Sequence, residues 1–125
     1  MEIKRIDLTK FRGAKSSLYT GRPQGKEARE ELKLDSFDKR NDIKVIFEIP
    51  EGTTSFNPSF YLGLLYDSYK QLDLEGFSNK YSFDIKSTDP DSIRVINSNL
   101  EDGKRNAFNE LHKKTGLWAF IKNKK

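Results

Sequence analysis

Apolar residues gather in the middle of the chain in two different rhythms. Val45-Ile46-Phe47-Glu48-Ile49 is nearly continuous, β-branched or aromatic, and closed by Pro50. It predicts a strand over 44–49 buried on both faces, as in a parallel or mixed sheet. From Pro58 onward the spacing changes to three and four residues, through Phe60, Tyr61, Leu64, Leu65, Ser68 and Leu72. That period predicts a helix over 58–72 with one face packed down. Asn57 followed by Pro58 supplies a capping side chain and a proline at the first helical position. Gly63 costs about 1 kcal/mol relative to alanine inside a helix, so it marks close approach of this helix to the sheet.

The flanks follow the same logic. Ile3, Ile6 and Leu8 among Lys4, Arg5 and Asp7 predict a first strand with one wet face. Gly13, Gly21, Pro23 and Gly25 punctuate a loop. Strong helix formers over 26–34 predict a short helix with Ala28, Leu32 and Leu34 inward and Glu27, Glu30 and Glu31 outward. Residues 35–42 and 73–80 read as polar connections, the first anchored by Phe37. Tyr81, Phe83 and Ile85 alternate with polar residues as a half-buried strand, which Asp89-Pro90-Asp91 breaks. Ile93, Val95 and Ile96 favour another short strand, with a helical turn as the alternative. Ser98-Asn99-Leu100-Glu101 is a capping box opening a helix over 99–114, with Gly116 at its stop. Leu117-Trp118-Ala119-Phe120-Ile121 is a last apolar segment, a strand or a docking strip. The expected fold is α/β: a mixed β-sheet with about three helices, one domain over 1–121 and a basic tail over 122–125.

Residues 40–75 resemble the central segment of STAS-type domains, the anti-sigma-factor-antagonist fold, and more closely the small STAS-like proteins of bacteria and mobile elements. In that family a buried strand ends in an acidic residue, and an Asp-Ser-Ser-Gly-type element then opens an amphipathic helix. The first serine of that element is a phosphorylation switch. Here Glu48 takes the acidic position and Asn57-Pro58-Ser59-Phe60-Tyr61-Leu62-Gly63 takes the helix opening. Asn57 replaces the aspartate, Pro58 stands where the switch serine would be, and Ser59 remains of the serine pair. A Gly-Arg segment before the first helix, here Gly21-Arg22, also recurs in STAS-like proteins. The resemblance implies a regulatory interaction module whose partner is an ATP-binding serine kinase or another regulator. Contact would run through the turn 51–57 and the helix 58–72, with Ser/Thr phosphorylation as the switch.

Composition narrows the remaining chemistry. With 125 residues, 34% hydrophobic and 34% charged, the nine phenylalanines, five tyrosines and single tryptophan must supply much of the core. The absence of cysteine removes disulfide and thiolate chemistry and fits a cytoplasmic protein. No apolar run is long enough for a membrane span, and the start of the chain lacks an apolar signal core. His112 is the only histidine, so zinc sites of the usual composition are excluded. No serine stands in a Gly-x-Ser-x-Gly elbow. Gly21 to Lys26 superficially resembles a phosphate-binding loop, but Glu27 stands where a magnesium-binding hydroxyl is needed. No catalytic residue, metal or cofactor is expected.

The candidate switch or partner-binding residues are Thr53, Thr54, Ser55, Asn57 and Ser59. Phe56, Tyr61, Tyr66 and Tyr69 exceed what one buried helix face holds and are candidates for an exposed docking patch. Arg22 is a candidate anion ligand at a helix start. Glu48, an acid in an apolar strand, needs a partner or a place at the sheet rim. The net charge of +4 sustains a second reading, a nucleic-acid-binding accessory protein. It would use Lys113, Lys114, Lys122, Lys124 and Lys125 with Trp118 or Phe120.

Overall fold

In the computed structural model, residues 1–12 and 17–114 are described. The elements are β1 (Glu2–Asp7), β2 (Leu18–Tyr19), α1 (Arg22–Leu32), α2 (Leu34–Asp38), β3 (Ile43–Ile49), β4 (Ser55–Phe56), α3 (Pro58–Lys80), β5 (Tyr81–Ile85) and α4 (Pro90–Lys114). They form an α/β fold in which helices pack on a three-stranded sheet ordered β1-β3-β5. Every pairing among the described strands is parallel, including the small β2-β4 pair. Register sets Ile6 beside Phe47 and Phe47 beside Phe83.

The central strand alternates. Ile43, Val45, Phe47 and Ile49 are buried, Lys44 is exposed, and Ile46 and Glu48 are half-buried. Burial on both faces was expected from its apolar run, but the described residues cover only one. On that face Tyr61 of α3 stacks on Phe83 at 5.9 Å. The other face is polar enough to stay wet. Arg5 donates to Glu48 at 2.6 Å and to Asp84 at 2.5 Å, and Lys86 lies 3.0 Å from Asp84. Glu48 thus has its partner at the open face.

Helix α3 is the centre of the packing, enclosed by the sheet, α1 and α4. Gly63 marks a close approach, but to α1 rather than to the sheet: a Cβ there would stand 2.1 Å from the Arg22 carbonyl oxygen. Gly25 answers it, its Cβ position 2.2 Å from the Phe60 carbonyl oxygen. On the opposite side Gly103 of α4 lies against the Tyr61 ring. Leu64 sits at the heart of this contact, with no exposure. Leu64→Ala is expected to cost about 2–5 kcal/mol in urea unfolding; an unchanged midpoint would show that the helix face is assigned wrongly.

Several boundaries differ from expectation. Helix α1 begins at Arg22, not 26, because Pro23 occupies its first turn, where a missing N–H costs nothing. Residues 34–38 are the short helix α2 rather than a plain connection. Residues 74–80 are helical and extend α3 past a break at Asp73. Residues 93–96 are also helical. Asp89 caps α4, accepting from Ser92 N at 3.1 Å and Ser92 Oγ at 2.8 Å, so the Ser98–Glu101 box lies inside the helix. The apolar segment 117–121 and the tail 122–125 lie outside the described residues.

Candidate functional site

The turn between β3 and α3 lies at the carboxyl end of the sheet's middle strand, and its backbone is tied from several sides. Thr53 is buried, and its Oγ1 accepts from Arg12 Nη1 at 2.9 Å. Thr54 is exposed; its N–H donates to the Ser17 carbonyl at 2.8 Å, and its hydroxyl meets the Ser17 hydroxyl at 2.8 Å. Ser55 is half-buried and donates to Asn99 Oδ1 at 3.3 Å. The same Asn99 oxygen accepts from Phe56 N at 2.9 Å, fastening β4 to α4. Asn57 caps α3, its Oδ1 accepting from Ser59 N at 2.7 Å. Ser59 itself is exposed. Of the hydroxyl candidates, Thr54 and Ser59 therefore face solvent, whereas Thr53 is buried and committed and Ser55 is half-buried.

The aromatic patch does not exist as a surface. Phe56, Tyr61 and Tyr69 have at most 1% exposure and Tyr66 has 5%. Enclosure of α3 on several sides explains the surplus of rings: most of its circumference is core. Tyr61 and Tyr69 share a 2.6 Å hydroxyl–hydroxyl bond, and burial raises the Tyr69 pKa to about 12. Arg22 is likewise committed. Its two terminal nitrogens donate to Glu110 at 3.1 and 3.2 Å, and its guanidinium stacks 5.4 Å from the Tyr66 ring centroid. An anion there would have to displace Glu110.

Sequence reading missed a buried polar cluster between α1, α2, α3 and β5. Asp38 Oδ2 accepts from Arg29 Nη2 at 2.6 Å and from Ser68 Oγ at 2.9 Å. Its Oδ1 accepts from Ser68 Oγ at 2.8 Å and Tyr81 Oη at 2.5 Å. Arg29 Nη1 donates to Ser68 Oγ at 2.8 Å and to the Leu64 carbonyl at 3.0 Å, and Nη2 also reaches Asp35 at 2.6 Å. Burial opposes the Arg29 charge, but the bonds from Asp35 and Asp38 outweigh it and raise the pKa. Burial, and then the Asp38 bond, hold the Tyr81 hydroxyl protonated far above its ordinary range. Asp38 is saturated with donors, so the cluster stabilises rather than reacts. The one signal for it was Ser68, a hydroxyl in phase with the apolar face of α3. Outside it lies a cleft of about 750 Å³ whose Lys26, Lys33 and Lys39 are offset by Glu30, Asp35 and Asp67.

Among the described residues no group of three or more His, Cys, Asp or Glu is placed to hold a metal. No helix among them is long and apolar enough to cross a membrane. No protein-family model, curated protein or solved structure matches the chain.

Proposed function

We propose that the protein is a non-catalytic, STAS-like regulatory module of the cytoplasm that docks a protein partner through the rim bearing Thr54 and Ser59. The resemblance around Glu48 and Asn57–Gly63 points to a serine kinase-type regulator as that partner. One observation carries the reading: two exposed hydroxyls stand on a backbone held by Asn57, Ser17 and Asn99. Open α/β sheets bind their ligands outside the carboxyl ends of their strands, and this turn follows the carboxyl end of β3. Helix α3 contributes Ser59 and little else, because Phe60, Tyr61, Gly63, Leu64, Leu65 and Tyr66 are buried.

A phosphate on Ser59 or Thr54 adds roughly −1.5 to −2 charges at an exposed position outside the core. The test is Thr54→Asp with Ser59→Asp, compared with the native chain by circular dichroism and by affinity for a partner captured from native lysate. The fold is expected to persist and affinity to fall at least tenfold. Native affinity in the folded double variant removes this rim as the docking site.

A further inference from the structure

Helix α3 is broken at Asp73, which holds φ 59° and ψ −175°. That region is open to glycine and costly for any residue with a Cβ. Such strain persists only where neighbouring contacts over-determine it, and the contacts here are specific. Asp73 Oδ1 accepts from Gly76 N at 2.9 Å, so the strained residue caps the short helical segment after it. Phe77, 3% exposed, stacks on Tyr69 at 3.9 Å and leans on Tyr81 at 5.1 Å. Lys80 Nζ donates to the carbonyls of Phe37 at 2.7 Å and Asp38 at 3.2 Å, and to that of Arg40, gathering the chain at the end of α2. Between these anchors Glu75, Ser78 and Asn79 are exposed, and Leu74 is 42% exposed. Beside the segment lies a groove of about 340 Å³ between β5 and α4, lined by Phe77, Tyr81, Phe83 and Leu100 with Glu101 and Lys104 at its edge.

We propose that residues 74–80 form a spring-loaded flap, with Asp73 as its hinge and the Lys80 ammonium as its latch. Tyr81 stays paired with Val45 in the sheet, so the segment is held at both ends. Unwinding of 74–80 between that anchor and the Asp73 hinge withdraws Phe77, relieves the backbone strain and opens the groove along β5. The closed state persists because the Phe77 stack and the latch together outweigh the strain. The flap is a conformational device independent of the Thr54 and Ser59 rim.

Hydrogen exchange on the full chain tests it. Amides 75–80 are expected to exchange by local opening, at least tenfold faster than those of 60–69 in the first half of α3. Asp73→Gly loses both the strain and the cap to Gly76 N, whereas Asp73→Ala loses the cap and keeps the strain. Exchange over 75–80 should be about tenfold slower in the glycine variant than in the alanine variant, the size of strain relief in this region. Lys80→Met should speed it at least tenfold while leaving 60–69 unchanged. Exchange of 75–80 only through global unfolding overturns the proposal. So does an Asp73→Gly variant whose exchange there is no slower than that of Asp73→Ala, or a Lys80→Met effect spread equally over 60–69.

Discussion

Asp38→Ala is expected to lose about 3–5 kcal/mol of stability, a large share of what a domain of this size has. The side chain has no exposure, and its removal strands a buried guanidinium, the Tyr81 hydroxyl and the Ser68 hydroxyl at once. The cost comes from leaving the buried Arg29 with the exposed Asp35 as its close carboxylate, and not from the worth of the pair itself. Removing both charges separates these ideas: Arg29→Met with Asp38→Leu should recover most of the loss, because buried ion pairs are often replaced by apolar residues at little cost. Urea unfolding of the single and double variants measures both. An Asp38→Ala variant within about 1 kcal/mol of the native chain would show that water, or the existing bond to Asp35, suffices for Arg29.

Gly63→Ala sets two effects against each other. Helix propensity alone favours alanine by about 1 kcal/mol. Packing opposes it, since the new Cβ would stand 2.1 Å from the Arg22 carbonyl oxygen and 2.9 Å from Lys26 N. Those are backbone atoms of α1, so no side-chain rotation relieves the clash and the two helices must part. Parting them loosens the contact that buries Ala28 and Leu64, and a net loss of about 2–4 kcal/mol is expected. Gly25→Ala forces the same separation from the other side. The double variant should therefore cost less than the sum of the two singles. A Gly63→Ala chain with a raised melting temperature would mean that the helices do not touch there.

The α/β class, the strand 43–49, the start of α3 and the strand at Tyr81 were legible because each has a local cause. Asn57-Pro58 is followed at once by helical periodicity, so cap and period agree. Asp89-Pro90 carries the same cap chemistry, yet β-branched Ile93, Val95 and Ile96 favoured a strand there. Only the wider spacing Ile96, Leu100, Gly103 and Ala107, all buried, reveals one long helix. Pro23 and Gly25 read as loop because their roles are positional: a first-turn proline and a glycine at a helix crossing. The Arg29–Asp38–Tyr81 cluster was invisible because its bonds join residues far apart in sequence, and Arg29 stands in a run of charges that looks solvated. The aromatic patch was misjudged for a related reason. Periodicity reports one packed face, and α3 is packed on several.

The parallel register of the sheet has a kinetic consequence. Glu2 pairs with Ile43 and Val45 with Tyr81, so each strand must wait for a crossover of some forty residues to close before it has a neighbour. Among the described strands no hairpin between adjacent segments is available to nucleate this sheet. The early contacts available to the chain are helical turns and the crossing of α1 on α3 at Gly25 and Gly63. The strands are then expected to align on a helical template, with β5 following α3 without an intervening loop.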